Sequence, residues 1–361
     1  MADKIASPGC ASLPAGMSMA AGIRIIRSES PGEVRAVAIG ADGRAFQLFM
    51  ERYQGAFAPA AFGTYHRGRI RAFADDLKGA FLSLDSGEEA FLRLKSRDGL
   101  TEGASLTVRV ASAARAGKLA RVTRSDLDGD RFDAWSIWME RVAGKGDHPI
   151  ETDHDLVEAA FEDALAPSVT LPGGGRLHCD RTRALTAFDV DTAGRHGKGS
   201  AGAHALSVNK AAAIELARQA ALRGLGGLLV LDCVDPLNKA AQDQIQRTAQ
   251  QAFTNYRVPG AKVLKPSAFG LLQASVPWRD SPLSDRLAAD PDETELLSAF
   301  RSAAREARAN PARLYGLELS KSAGRAYQKR RVEADAALTD QLNGRLTVHM
   351  GESDKSRIAL R

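Results

Sequence analysis

Cysteine is scarce: Cys10, Cys179 and Cys233 are the only three in 361 residues, and no two form a CxxC pair. An odd, scattered set excludes a disulfide scaffold and a standard zinc ribbon or finger, and it fits a reducing compartment such as the cytoplasm. Long apolar runs are missing too. Nothing approaches the ~18 consecutive apolar residues that span a bilayer, so an integral membrane protein is excluded and no membrane partner is expected. Residues 1–21 contain Lys4 but no continuous apolar core, and they read as a loose tail rather than a signal peptide. There is no repeat and no low-complexity segment.

What is present is ordinary in amount and uneven in placement. Hydrophobic residues make up 44% and charged residues 26% of the chain, the mix of a globular protein with ample core. At roughly 150 residues per domain the length suggests two or three domains. The net charge of +5 hides a basic excess of five over 63–124 and of six over 301–361, which leaves the remainder at −6. Basic flanks around an acidic middle fit a polyanion held at its edges with carboxylates between, as in a metal-dependent nuclease. Solubilising surface charge is the plainer reading of the same numbers.

Along the chain, GIRIIRS, EVRAVAI and RAFQLFM predict a small N-terminal β unit over 22–62, with a turn at Ala41-Asp42-Gly43. Five short strand candidates follow within 63–124 (YHRGRIRAF, GAFLSLD, AFLRLK, SLTVRVAS, KLARVTR), which is the pattern of a small closed barrel, the OB-fold being the usual one of this size. Residues 125–170 read as linker and helix, with a helix over 153–165 after Asp153 as a possible N-cap. In 171–290, ALTAFDV reads as a strand, a Gly-rich loop follows, and an Ala-rich helix is expected over 207–223, capped by Ser207 or Asn209 and ended by Gly224. GGLLVLDCV is then expected as a strand buried on both faces. Residues 291–361 read as a basic, largely helical region closed by GRLTVHM.

Chemistry gathers at two places. Asp189 and Asp191 lie two apart at a strand end and project to one face, and Asp232 closes the next strand, with Asp235 three residues on. Carboxylates meeting there repel unless a cation sits between them, and oxygen-only ligands suit Mg²⁺ with water and phosphate completing its shell. Acidic residues are also common turn and capping residues. The Gly-rich loop fails as a Walker A motif because Thr192 and Gly199 stand where Gly and Ser/Thr are needed. Its Arg195 and Lys198 remain candidate phosphate contacts. In the barrel, Phe81 and Phe91 flank the turn DSGEE and Lys118 follows further on. Aromatics on a barrel face stack bases while cations hold phosphate; the opposing reading is two core phenylalanines.

At these residues the chain resembles a known family. LPGGGRLHCDRTRALTAFDVDTAGR, then ARQAALRGLGGLLVLDCVD and FGLLQAS, resemble the ribonuclease E/G family, including the 43-residue separation of Asp189 and Asp232. GTYHRGRIRAF and GAFLSLDSGEEAFL are similar to its OB-type RNA-binding barrel, and GIRIIRSESPGEVRAVAIGADGRAFQLFME to its N-terminal strands. The resemblance implies an α+β, multi-domain fold: N-terminal strands left from an RNase H-like unit, an OB-type barrel, and an α/β catalytic domain of the DNase I-like kind. It implies that Asp189 and Asp232 hold a catalytic Mg²⁺, with Asp191 beside them where the family has asparagine, and that Phe81, Phe91 and Lys118 contact RNA. It implies cleavage of single-stranded RNA to 5′-phosphate and 3′-hydroxyl ends, in RNA processing or decay. The alternative is a non-catalytic RNA-binding relative. The family's 5′-end-sensing domain and its two-cysteine zinc link find no counterpart: some thirty residues, 125–152, stand in place of the first, and no Cys follows Cys233. Structural zinc and preference for a 5′-monophosphate are therefore not expected.

Overall fold

The computed structural model describes residues 22–53, 60–97, 99–115, 117–126, 133–193 and 200–360. Strands β1 (Arg24–Ser30), β2 (Glu33–Ile39) and β3 (Ala45–Arg52) form the expected N-terminal meander, and β9 (Ile150–Thr152) pairs parallel to β1, giving the order β3-β2-β1-β9. Both faces of this sheet are covered. Ile25, Ala36, Ala38 and Phe46 join a core with α1 (Ala134–Ala143) and α3 (Ala201–Arg223), while Ile26, Val37 and Ile39 pack with α2 (His154–Leu165). Glu33, wholly buried, binds Arg35 (2.8 Å) and Arg52 (3.0 Å), and Arg301 from α6 (Pro291–Ala309) at 2.6 Å, tying the sheet to the C-terminal region.

The five strands expected over 63–124 are β4 (Tyr65–Ala74), β5 (Gly79–Leu84), β6 (Glu89–Arg93), β7 (Ser105–Ser112) and β8 (Ala120–Arg124). They close into a barrel of order β4-β5-β6-β8-β7, in which β6 and β8 run parallel and the other neighbours antiparallel. Period-2 alternation decides what faces in: Ala80, Leu82, Ala90, Leu92, Val108 and Val122 fill the interior, so the residues between them face out.

The third unit is a six-stranded sheet of β10 (Ser168–Thr170), β11 (Arg176–Arg181), β12 (Leu185–Asp191), β13 (Gly227–Asp232), β14 (Lys262–Val263) and β15 (Leu271–Val276), ordered β10-β11-β12-β13-β15-β14. Its one parallel pair, β12 with β13, is joined through α3. Helices α3 and α4 (Lys239–Asn255) cover one face, packing on Phe188, Leu229, Leu231, Leu272 and Ala274. Because α3 lies between this sheet and β3, it is buried nearly all round, and its alanines allow the close approach. Two local expectations are corrected here. α3 starts at Ala201, its N-cap Ser200 accepting from the Ala203 N–H, so neither Ser207 nor Asn209 is the cap. β13 is buried on one face only: Leu228 is 39% exposed. An apolar strand cannot by itself say how many faces are covered.

After α5 (Leu283–Ala289) and α6 come β16 (Tyr315–Leu319), α7 (Lys321–Lys329), α8 (Arg331–Leu342), β17 (Leu346–Met350) and β18 (Arg357–Leu360), with a sheet ordered β17-β16-β18. The C-terminal region is thus helices on a small sheet rather than mainly helix. β16 is buried at four of its five positions and so lacks the alternation that marks a strand. The whole is a mixed α+β fold with a closed five-stranded barrel. Among the described residues no helix is long and apolar enough to cross a membrane.

Candidate active site

The parallel register of β12 and β13 pairs Phe188 with Leu231. Continuing it by one residue sets Asp189 beside Asp232, at strand ends about 4.8 Å apart. Phe188 and Leu231 turn into the helix-covered core, so by alternation both aspartates turn to the other, open face, where both are exposed. Among the described residues neither carboxylate has a hydrogen-bond or ion-pair partner. Two unpartnered carboxylates side by side repel and favour a cation between them. Asp191 shares their face, but its Oδ1 accepts the Ala193 N–H at 2.8 Å, a local turn bond.

No three His, Cys, Asp or Glu side chains among the described residues converge as a metal cage. A two-carboxylate set still fits Mg²⁺, which takes one or two carboxylates and fills its remaining positions with water and phosphate oxygens. The neighbouring Cys233 is buried in the helix-covered core, and burial pushes its thiol up to about 12. His178, which pairs with Asp189 across β11–β12, also lies on the open face; nothing local in the sequence links the two.

The loop after Asp232 is held from the helix side. Asn209 is fully buried in the middle of α3; its Nδ2 donates to the Val234 carbonyl oxygen and its Oδ1 accepts the Val234 N–H, both at 2.8 Å. A polar side chain in the apolar stretch of a helix was the available signal, and reading it as a cap hid it.

On the barrel, Phe81 and Phe91 face outward, half-buried, in register across β5–β6 with ring centroids 5.4 Å apart. Gly79 makes room for the pair, since a Cβ there would come within 2.3 Å of the Phe91 ring. Arg121, exposed on β8 and in register with Phe91, extends the row as a cation; the alternation of ARVTR would have found it. Lys118 is exposed in the β7–β8 turn, where it exchanges backbone hydrogen bonds with Arg115. It also lines a cavity of about 750 Å³ between the barrel, the N-terminal sheet and α5, a cavity that includes none of Asp189, Asp191 or Asp232. The carboxylates sit on open surface instead, where a long chain can lie across them. Arg195 falls outside the described residues.

Fold and site together define a barrel-bearing α+β protein with paired carboxylates at adjacent strand ends, without partners among the described residues. Residues 137–276 match the model of the Ribonuclease E/G family. It is 37% identical to ribonuclease E of Haemophilus influenzae over 122 residues, 34% of this chain and 13% of that protein. It is 36% identical to ribonuclease E of Escherichia coli over 122 residues, 34% of this chain and 11% of that protein. With ribonuclease G of Salmonella typhimurium the identity is 33% over 113 residues, 31% of this chain and 23% of that protein. The matches therefore take in less than a quarter of each of these relatives. Among solved structures, the intact alpha subunit of aIF2 from Pyrococcus abyssi aligns with 71% of this chain and 95% of its own at 12% identity, with a TM-score of 0.17, too low to bear on the fold.

Proposed function

We propose that the chain is an Mg²⁺-dependent endoribonuclease that cuts single-stranded RNA to 5′-phosphate and 3′-hydroxyl ends, in cytoplasmic RNA processing or decay. The observation that carries this reading is the juxtaposition of Asp189 and Asp232, exposed and without partners among the described residues, inside the segment that matches the family. These two would hold the ion. When bound, Mg²⁺ supplies Lewis-acid polarisation of the phosphate and a more acidic water. The chain's own contributions are to keep two carboxylates at one strand-end register, to pin the following loop through Asn209, and to leave the face open to a polymer. Asp191 adds negative charge beside the pair.

The barrel, whose strand order and parallel closing pair are those of an OB-type Greek-key barrel, would grip the strand. Phe81 and Phe91 would stack bases while Lys118, Arg121 and Arg195 pair with phosphates. The carboxylate-bearing sheet would then be the DNase I-like catalytic part.

The test is cleavage of a labelled single-stranded RNA with Mg²⁺ or with EDTA, beside Asp232→Asn. Metal-dependent cutting that the substitution abolishes supports the reading. RNA binding with no cutting under any metal would leave a non-catalytic RNA-binding protein.

A further inference from the structure

Phe269 is 87% exposed, the most exposed large apolar side chain among the described residues. It does not hang on a loose loop. The turn 267–270 is cross-braced: the Gly270 N–H donates to the Ser267 carbonyl (3.0 Å), the Ser267 N–H donates to the Leu271 carbonyl (3.0 Å), and Ser267 Oγ accepts from the N–H groups of Phe269 (3.2 Å) and Leu271 (3.4 Å). Gly270 takes φ +77°, which closes the turn, and its carbonyl accepts the Cys233 N–H at 3.2 Å. The ring is thus presented to water on a stiff support.

Its place in the sheet gives it a use. β15 pairs antiparallel to β13 with Leu271 opposite Asp232, so the turn stands just beyond the strand end that carries the carboxylate. Across three neighbouring strand ends the order is Asp189, Asp232, then the Phe269 turn. The whole row spans about two strand spacings, ~10 Å. A phosphate held at the two carboxylates brings its flanking nucleotide over that gap, and a nucleobase is the partner whose flat π-face matches an exposed phenyl ring without further contacts.

We propose that Phe269 is a base-stacking platform for the nucleotide next to the scissile phosphate, a substrate-positioning contact separate from the barrel pair Phe81 and Phe91. It rests on the ribonuclease reading above and adds where the strand is held at the point of cutting. Because every base has a π-face, the contact positions the strand with weak base preference.

The experiment uses the full chain with a single-stranded RNA carrying 2-aminopurine at successive positions, bound to the Asp232→Asn protein, and in parallel measures single-turnover cleavage by protein with Asp232 intact. Phe269→Ala, Phe269→Leu and Phe269→Trp are compared; the site is so exposed that all should fold, which circular dichroism checks. The expected result is quenching at one position that is lost in Phe269→Ala and Phe269→Leu and kept in Phe269→Trp, with cleavage slowed on the order of tenfold in the first two. An abasic nucleotide at the quenched position should slow the Phe269 protein equally and the Phe269→Ala protein no further. Unchanged quenching and cleavage in Phe269→Ala overturns the proposal. So does full activity in Phe269→Leu, which would make the contact merely apolar, or a change of oligomeric mass in Phe269→Ala, which would make it a contact between copies. If quenching depends on Phe269 but the Asp232 protein cuts nothing, stacking stands and the ribonuclease reading falls.

Discussion

Asn209 and Val234 are joined twice, amide to peptide, with the side-chain nitrogen donating to the carbonyl and the side-chain oxygen accepting the N–H, each at 2.8 Å. The pair locks a buried helix to the backbone two residues past Asp232, so the carboxylate's position is set from below the sheet.

Asn209→Leu fills similar volume but strips both bonds and leaves a peptide group unpaired in a partly buried site. We expect a loss of about 2–4 kcal/mol in urea unfolding. Cleavage should fall further than stability explains, by up to about 100-fold at saturating RNA, because a small displacement of a reacting group is costly. A variant that is destabilised yet turns over at the original rate would show that the clamp is only structural.

Asp189→Asn and Asp232→Asn should each reduce cleavage by orders of magnitude, because metal-assisted activation is lost. Binding of RNA, measured by fluorescence anisotropy, should remain within a few-fold, since both side chains are exposed and without partners among the described residues. Isothermal titration with Mg²⁺ should lose its binding heat in the same variants. Near-original rates in both would remove the pair from the chemistry.

Phe81→Ala and Phe91→Ala should each weaken RNA binding by about 1–3 kcal/mol. Because both rings face outward, the melting temperature should change little. Gly79→Ala should reproduce part of the loss by pushing the Phe91 ring out of place. Affinity should fall steeply with added salt as Lys118, Arg121 and their neighbours release phosphate counterions. Collapse of the fold in either alanine variant would mean that the rings hold the barrel together.

Acid should loosen the link between the N-terminal sheet and α6. Burial pushes the Glu33 carboxyl up, but Arg301, Arg35 and Arg52 together outweigh it and hold the group below its ordinary value of 4.5. Glu215, buried against Arg218 and Arg44, behaves alike. A depressed native pKa means the contribution is complete above the unfolded value and is lost as pH falls through the native one. The urea midpoint should therefore be flat near neutrality and drop below about pH 4.5. Glu33→Gln should cost ~3–5 kcal/mol at pH 7 by stranding buried arginines, and should flatten the acid limb. An unchanged acid limb in Glu33→Gln would assign the pH dependence elsewhere.

The placement of the candidate carboxylates was legible because it is written in local pattern. Strand, helix, strand with Asp189 and Asp232 at corresponding ends follows from period-2 and period-3.6 spacing over adjacent segments. Strand ends are where such sheets place ligand groups. The five barrel strands follow from short β-rich runs between turn residues, whereas the outward phase of Phe81 and Phe91 was decided only when the barrel closed around Ala80, Leu82, Ala90 and Leu92. The helix start at Ser200 was misread because a polar residue inside a helix, Asn209, looks like a cap until its partner is known.

Sequence alone therefore determined the barrel strands, the strand–helix–strand unit and which residue types stand at its strand ends, since these depend on neighbours a few positions apart. Tertiary structure decided what no local window contains. It left the outer face of β13 open although its sequence is apolar throughout, and it closed β16 into a buried sheet although it lacks alternation. It paired Asn209 with Val234 across 25 residues, aligned Arg121 with Phe91, and set Phe269 on a braced turn beside Asp232. Burial and contact are properties of the face a neighbouring element happens to cover, and that depends on register and packing between segments far apart in the chain.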